Sequence, residues 1–215
     1  MAFSERLQHD VDEFRDRVYS DPTGVLDPED LHHEFVSGAH GRKLDFDKIF
    51  DGTDMFIHWM SVYARAVKEM YPNRRPDVVV GIANGANRVA RHVGYLLGIQ
   101  SLETVKTDKK AVELNEDALA YLDDNEVKFA LITEDVGTTG GTSMTAADHL
   151  RDVGVRRIEA VNGWQRNQTL AKFDDARIPH NAVILEPLPT FSPEDCLSDS
   201  EGYCAKGVEL IPHGQ

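Results

Sequence analysis

One stretch of the chain, residues 129–142, constrains the fold more than any other: it reads Phe-Ala-Leu-Ile-Thr-Glu-Asp-Val-Gly-Thr-Thr-Gly-Gly-Thr. Its first four residues form a continuous apolar run, which is typical of a parallel strand buried on both faces. Glu134 and Asp135 close this strand at its carboxyl end, and a loop of glycine and threonine follows. A helical pattern begins after the loop, with Met144, Ala147 and Leu150 on one face. The stretch therefore predicts a strand, a ligand loop and a helix within an α/β sheet.

The loop after the strand has the composition of a phosphate-binding loop. Glycine lets the backbone approach a ligand closely, and free N–H groups at a helix N-terminus bind a phosphate dianion, with hydroxyls adding donors. We therefore predict a phosphate site formed by residues Gly137, Thr138, Thr139, Gly140, Gly141 and Thr142.

The two carboxylates before this loop would repel a phosphate, so they must contact another part of the same ligand. Vicinal ribose hydroxyls, which donate hydrogen bonds to carboxylate oxygens, are the natural partners of Glu134 and Asp135. The implied ligand is a ribose 5-phosphate. An incidental strand-to-helix turn would account for Gly140, Gly141 and Thr142, but it leaves the acidic pair and the other threonines unexplained. A Walker A loop is excluded because no lysine follows the glycines.

A second strand and glycine-containing loop precede this unit. Residues 77–82 predict a buried strand, and they run into Gly-Ile-Ala-Asn-Gly-Ala-Asn at residues 81–87 and then into a helical pattern. The start of that helix could hold a second anionic group by the same physics. Taken alone, the loop is equally consistent with an ordinary strand-to-helix connection.

The remaining pattern predicts a mostly parallel α/β sheet flanked by helices. Residues 3–19 and 54–71 have helical spacing, and we assign the aromatic stripe of the second helix to the core. Short apolar runs predict strands at residues 77–82, 128–134, 157–163 and 182–186, and we predict a short strand at residues 103–107. We also predict a helical turn at residues 28–34, a long polar excursion at residues 108–124, and an irregular tail from Pro187 onward.

Charge and composition restrict the partners of the chain. Its 215 residues carry 37 acidic against 23 basic side chains, for a formal net charge of −14. Such a surface repels nucleic acid and anionic membrane, so neither is expected as a partner. No segment approaches the roughly 18 apolar residues that span a bilayer. Two cysteines cannot build a disulfide framework, and we expect a soluble cytoplasmic enzyme.

The acidic pair and the Thr-Thr-Gly-Gly-Thr loop resemble the 5-phosphoribosyl 1-pyrophosphate (PRPP) signature of the type I phosphoribosyltransferases. The resemblance implies a mostly parallel open sheet with a small hood built from the two ends of the chain. It divides the chain into an N-terminal helical and hood segment (residues 1–46), a phosphoribosyltransferase core (residues 47–190) and an irregular C-terminal tail (residues 191–215). The substrates would be PRPP and a nucleobase, with pyrophosphate released.

The resemblance also implies roles for individual residues. Glu134 and Asp135 would hold the ribose hydroxyls as catalytic residues, and Mg²⁺ would arrive with PRPP, near this pair. Lys109 and Lys110 would cover the leaving pyrophosphate from a mobile loop that reaches a neighbouring subunit, which implies a homodimer. The pyrophosphate loop would be Ala83, Asn84, Gly85 and Ala86.

Within the family, the chain is most similar to the orotate branch. Ser37-Gly38 and the following Arg42 to Phe46 resemble the segment of orotate enzymes that helps to form the base pocket, and Arg166 matches an arginine that contacts the base. We therefore predict that Arg166 and Lys43 bind the base, because a guanidinium can grip a carboxylated pyrimidine with paired hydrogen bonds.

The chain also departs from the orotate pattern. Val36 and Gly85 stand where orotate enzymes often carry lysines, and the mobile-loop pattern is reduced to Lys109 and Lys110. A purine-type enzyme, for adenine, guanine or xanthine, stays open as an alternative. So does a non-catalytic protein that senses PRPP, although the net charge of −14 argues against one that binds nucleic acid.

The two cysteines lie close together in the tail. Cys196 and Cys204 form a Cys-x7-Cys pattern, which lacks two of the four ligands of a structural zinc site. Histidines such as His180 or His213 would have to complete it. The sequence leaves open whether these cysteines bind a metal.

Overall fold

The computed structural model describes residues 2–21, 24–35, 38–107, 111–167 and 171–212. The helices within these ranges are α1 Glu5–Ser20, α2 Asp47–Asp51, α3 Thr53–Met70, α4 Gly85–Leu97, α5 Glu116–Asp124, α6 Gly141–Asp152, α7 Ala171–Asp175 and α8 Pro193–Ser198. None of these described helices is long and apolar enough to cross a bilayer.

The strands form two sheets. They are β1 Leu31–Glu34, β2 His40–Gly41, β3 Val78–Gly81, β4 Gln100–Lys106, β5 Val112–Leu114, β6 Phe129–Gly137, β7 Arg157–Gln165, β8 His180–Leu185, β9 Thr190–Phe191 and β10 Glu209–Ile211. Six strands make a large sheet in the order β5-β4-β3-β6-β7-β8, and four make a small sheet in the order β10-β1-β2-β9.

The large sheet is parallel except at one edge, where β5 runs antiparallel to β4. This confirms the predicted mostly parallel α/β sheet. Val78 pairs with Ala130 and Gly81 with Thr133, so β3 ends beside the residue that directly precedes the acidic pair of β6. Because ligands bind beyond the carboxyl ends of strands in such sheets, this register brings the two predicted ligand loops together.

Both faces of the large sheet are covered, which explains the continuous apolar runs of its central strands. Successive residues of β6 point to opposite faces. Phe129 and Leu131 pack with α1 and α3, whereas Ala130 and Ile132 pack with Ala147 and the rest of the α6 face.

The aromatic stripe of α3 lies in the core, as its spacing predicts. Trp59 is fully buried and stacks on Phe14 of α1, with ring centroids 4.4 Å apart and an interplanar angle of 22°. The hydroxyl of Tyr63, also fully buried, donates to the carbonyl of Val161 at 2.6 Å. These contacts attach the N-terminal helix to the large sheet through α3.

The small sheet, which we call the hood, joins the two ends of the chain. β1 pairs in parallel with β10 and antiparallel with β2, which in turn pairs with β9. Two predictions are wrong here: residues 31–34 form a strand rather than a helical turn, and the tail contains α8, β9 and β10 rather than irregular structure. Hood strands of two to four residues show no usable periodicity, and their pairing partners are far away in sequence.

The predicted polar excursion at residues 108–124 is also wrong for its described part. Val112 and Leu114 are buried in β5, and Asn115 caps α5 by accepting a hydrogen bond from the Ala118 N–H at 2.8 Å. Asparagine followed by two acidic residues is a helix-start signal, so this helix was readable from the sequence.

Candidate active site

A cleft of about 360 Å³ lies at the carboxyl edge of the large sheet. Its wall comes from the segment after β2 (residues 43–47), the loop after β3 (residues 82–85), Lys106 at the end of β4, and residues 134–136 of β6. A larger open hollow of about 710 Å³ lies at the opposite edge, beside Pro76 where β3 begins. Ligands bind at the carboxyl edge of such sheets, so the smaller cleft is the candidate site.

Glu134 lies at the floor of this cleft. Its carboxylate accepts a hydrogen bond from the Ser143 hydroxyl at 2.8 Å. Burial raises the pKa of Glu134 to about 7; the Ser143 hydrogen bond opposes this shift and the neighbouring Asp135 charge adds to it. Glu134 therefore lies in a place where a partner that donates hydrogen bonds, or a cation, would restore its charge.

Asp135 faces the same cleft from the next position. Burial raises the pKa of its carboxyl, although Oδ1 accepts a hydrogen bond from the Val136 N–H at 2.8 Å. The opposite oxygen, Oδ2, lies against Gly85, where a Cβ would be only 2.3 Å away. The acidic pair and the predicted pyrophosphate loop are thus in contact, and any side chain at position 85 would meet this carboxylate.

The predicted pyrophosphate loop, residues Ala83 to Ala86, connects β3 to α4, and its Ala83–Asn84 peptide bond is cis. Thr104 of β4 holds the loop in place. Its fully buried hydroxyl accepts from the Ala83 N–H at 2.8 Å and donates to the Gly81 carbonyl at 2.9 Å. The side-chain amide of Asn87 donates to the Thr104 carbonyl and accepts from the Thr104 N–H. Sequence reasoning missed Thr104, because only the pairing of β3 with β4 places it beside the loop.

The predicted phosphate loop surrounds the start of α6. Gly140 is its N-cap, with φ 73°, and a Cβ there would lie 2.5 Å from the Phe173 ring. Asn167 donates to the Thr138 carbonyl at 2.6 Å. The amine of Lys172 lies next to Gly141, 3.0 Å from where a Cβ would be. A cation at the positive end of α6 favours an anion there, and sequence reasoning missed this lysine.

Arg166 follows β7 and is held against the hood. Its guanidinium is buried, donates from Nη2 to the Arg42 carbonyl at 2.8 Å, and lies over the Phe35 ring at 4.9 Å. Burial lowers its pKa. Gly41 packs against both Arg166 and Phe35, and there is no room for a side chain at this position, since a Cβ would be 2.9 Å from the Phe35 ring. Arg166 therefore adjoins the segment that forms the cleft wall, while the wall itself carries the other predicted base-binding residue, Lys43.

The positive charges of the cleft differ from those predicted. Lys109 and Lys110 lie outside the described residues. Lys106, at the end of β4, lines the cleft, and its charge opposes in small part the burial that raises the pKa of Asp135. Lys43 also lines it, with Nζ 3.0 Å from Asp45 Oδ2. Sequence reasoning did not select Lys106, because it assigned no ligand contact to the strand at residues 103–107.

The described wall of the cleft is nevertheless acidic. Its carboxylates outnumber its amines, with Asp45, Asp47, Glu134 and Asp135 against Lys43 and Lys106. A strongly anionic ligand such as a pyrophosphate ester would bind to this wall only with a cation that neutralises part of the charge.

A parallel sheet with an acidic pair, a glycine loop and a helix-start phosphate loop at its carboxyl edge defines an enzyme that handles a phosphorylated ribose. The chain belongs to the phosphoribosyltransferase family: the family described as "Phosphoribosyl transferase domain" matches residues 46–179. This confirms the family predicted from residues 129–142.

Known proteins of two branches are similar to the chain. The orotate phosphoribosyltransferase of Caldanaerobacter subterraneus subsp. tengcongensis is 24% identical over 189 residues, covering 85% of this chain and 88% of that protein. The orotate phosphoribosyltransferase structure from Aeropyrum pernix has a TM-score of 0.58 at 15% identity and covers 81% of this chain and 92% of that one. An adenine phosphoribosyltransferase structure has a TM-score of 0.55 at 16% identity, covering 68% and 89%. The two structural likenesses show the fold alone.

Proposed function

We propose that the chain transfers the 5-phosphoribosyl group from PRPP to orotate and releases pyrophosphate. The observation that carries this proposal is the contact between Asp135 and Gly85, which places the acidic pair and the loop after β3 in one cleft. The likeness to a curated orotate enzyme over 85% of the chain favours orotate as the base.

The 5-phosphate would bind at the start of α6. The free N–H groups of that helix, the hydroxyls of Thr138, Thr139 and Thr142, and the nearby Lys172 amine offer donors and positive charge. This phosphate does not react, so its binding energy orients the ribose.

Glu134 and Asp135 would accept hydrogen bonds from the ribose 2- and 3-hydroxyls. The bond from ribose C1 to pyrophosphate breaks as positive charge develops on the ring, and a base nitrogen then attacks C1. Ionised carboxylates beneath the ring stabilise that charge, and their preorganised position costs nothing during the reaction. Hydroxyl donors from the substrate would lower the raised pKa of Glu134 and favour its charged form.

The residues of the cleft fit Mg²⁺, which the family implies. The carboxylates of Asp45, Asp47, Glu134 and Asp135 are the hard oxygen ligands that Mg²⁺ prefers, usually together with substrate phosphates. Bound there with PRPP, Mg²⁺ would neutralise charge on the leaving pyrophosphate. Lys106 would add a fixed positive charge on the same wall. The proposal that Lys109 and Lys110 cover the pyrophosphate still rests on the family resemblance.

The base would lie between the cleft and the hood, with Lys43 and Arg166 toward its carboxylate. A guanidinium has five N–H groups, so one that already donates to the Arg42 carbonyl retains further donors for a ligand. Its position over Phe35 fixes the plane of the guanidinium.

A pyrophosphate-release assay with PRPP, Mg²⁺ and a panel of orotate, uracil, adenine, guanine and xanthine tests the proposal. We expect release with orotate alone, its loss on chelation of Mg²⁺, and at least about 100-fold slower turnover for Asp135→Asn. Asp123→Asn, which changes an exposed carboxylate of α5, is the matched control and should leave turnover unchanged.

The other outcomes separate the alternatives. Release with a purine and none with orotate would identify a purine-type enzyme. Calorimetric binding of PRPP with no release for any base would overturn the enzymatic proposal and favour a PRPP sensor. Arg166→Ala should raise the KM for orotate more than the KM for PRPP; equal effects would remove Arg166 from the base site. The homodimer and the cytoplasmic location stay predictions, and sedimentation analysis checks the first.

A further inference from the structure

A cluster of two cysteines and two histidines lies inside the hood, outside the candidate active site. His32 belongs to β1, His40 to β2, Cys196 to α8, and Cys204 to the turns before β10. One ligand atom from each residue lies within 4.8 Å of all the others. His180, which the sequence offered as a partner of the cysteines, instead stacks on Phe173, and His213 lies outside the described residues.

The separations within the cluster match those around a tetrahedral metal ion. Sγ of Cys204 is 3.3 Å from both His32 Nε2 and His40 Nδ1, and Sγ of Cys196 is 3.9 Å from His32 Nε2. With zinc bonds of about 2.3 Å to sulfur and about 2.0 Å to nitrogen, tetrahedral geometry puts sulfur and nitrogen about 3.5 Å apart. These three sulfur–nitrogen separations, from 3.3 to 3.9 Å, therefore bracket the tetrahedral distance.

The cluster is largely enclosed. His32 and Cys196 have no exposed surface, His40 is 7% exposed, and Cys204 is half-buried. Four protein ligands would fill a tetrahedral shell, which is the closed arrangement of a structural site and leaves no position for a substrate or a reactive water. Two thiols and two imidazoles select zinc among the common divalent ions, because calcium and magnesium prefer oxygen.

Contacts around the cluster orient its ligands. The Cys204 N–H donates to Cys196 Sγ at 3.2 Å, as suits a thiolate, and Tyr203 stacks on the His32 ring with centroids 5.3 Å apart. Gly202 packs directly on the backbone of Cys196, where a Cβ would lie 2.3 Å from the carbonyl oxygen. Such supporting contacts fix ligand orientation in metal sites.

We propose that His32, His40, Cys196 and Cys204 bind one Zn²⁺ ion, which ties the C-terminal tail to the N-terminal strands of the hood. The ion would have a structural role. β2 leads from His40 through Gly41, which packs against Arg166, to the cleft wall at residues 43–47, so the site would hold the base side of the cleft in shape. The site itself does not depend on the proposed function.

Metal analysis of the whole protein tests the site. The purified chain is exchanged into buffer containing Zn²⁺, freed of loose metal by gel filtration and analysed for elements. We expect about one zinc per chain, and less than about one tenth of that for a Cys196→Ser, Cys204→Ser double variant. His33→Gln, which changes the next residue of β1 and leaves all four ligands intact, is the matched control and should keep the metal.

A second measurement on the unchanged chain keeps the proposal testable if the double variant does not fold. Exchange of the metal for Co²⁺ should give the absorption of a tetrahedral site with thiolate ligands, and added Zn²⁺ should remove it. Absence of zinc and of this spectrum in the folded chain would overturn the proposal. So would zinc retention by a folded double variant, or thiol titration showing that the two cysteines form a disulfide in the protein as purified.

Discussion

Glu134 combines a place in the candidate active site with a cost to stability. Burial raises its pKa from the ordinary 4.5 to about 7, so the folded chain binds more protons than the unfolded chain between these values. The free energy of unfolding therefore falls as the pH rises from about 4.5 to about 7, and the loss is complete above that range. A site that must present charge to its substrate is destabilising while it is empty.

The first prediction is that Glu134→Gln removes this pH dependence. Without ligand, the variant should be more stable than the parent at pH 8, by on the order of 3 kcal/mol, because no buried charge forms. Near pH 4.5 the difference should be small. Urea unfolding at both values measures it, with the exposed Glu126→Gln as the control. The same difference at both pH values would contradict a shifted pKa.

Thr104 acts through the loop that it holds. We predict that Thr104→Val lowers the free energy of unfolding by about 1–3 kcal/mol, since the Ala83 N–H and the Gly81 carbonyl lose a buried partner. The displaced loop should raise the KM for PRPP more than it lowers kcat. Thr104→Ser keeps the hydroxyl and should restore that KM. An unchanged KM for the valine variant would show that Thr104 does not position the loop.

At the scale of elements, α6 has a glycine with positive φ at each end, but only one of them lies at the site. Gly140 begins the helix with φ 73° against the Phe173 ring, while Gly154 follows its end with φ 93° and nothing within 4 Å of a Cβ. Replacing either glycine with another residue would therefore strain the backbone to a similar extent. Only at Gly140 would the new side chain also collide with a neighbour, the Phe173 ring.

We therefore predict different outcomes for alanine at the two positions. Gly154→Ala should cost about 1–2 kcal/mol of stability and leave PRPP binding unchanged. Gly140→Ala should cost more and weaken PRPP binding at least about tenfold, because Phe173 or the loop must move. Urea unfolding and calorimetry with PRPP measure the two effects. Equal loss of binding in both variants would show that helix stability, rather than loop geometry, controls the phosphate site.

Local sequence predicts the loops themselves, but not the residues of other elements that lie beside them. The strand, acidic pair and loop of residues 129–142 are contiguous, so their order alone indicates a phosphorylated ribose. Lys106 of β4 lines the cleft, whereas Thr104 of β4 and Lys172 of α7 lie beside the loop after β3 and the start of α6, respectively. Their positions depend on strand order and register, which no local pattern encodes.

At the scale of the whole molecule, the N-terminal helix is part of the main core. Phe14 is fully buried, stacks on Trp59 of α3 and also contacts the edge of His58. The predicted domain boundary near residue 46 stays a prediction. The contacts of Phe14 nevertheless make α1 part of the same hydrophobic core as α3.

We predict that Phe14→Ala lowers the free energy of unfolding of the whole chain by about 3–5 kcal/mol, the usual cost of removing a buried aromatic ring. Tyr19→Phe, which removes only a surface hydrogen bond to Glu186, should cost less than about 1 kcal/mol. Urea unfolding followed by fluorescence and circular dichroism measures both. If only a small part of the fluorescence and circular dichroism change moved to lower urea concentration in Phe14→Ala, α1 would unfold separately from the core.

The sequence by itself determined the family, the central strands, the loops that follow β3 and β6, and the core face of α3; the ligands of the two loops stay predictions. Each of these depends on residues that are close together in the chain: the spacing of apolar residues, the glycines of the loops and the adjacent acidic pair. Only the tertiary structure decided the hood and its cysteine–histidine cluster, in which His40 and Cys204 are 164 residues apart. The reason is physical: short strands and single ligands cannot meet the entropy cost of closing such a loop until the large sheet has brought both ends together.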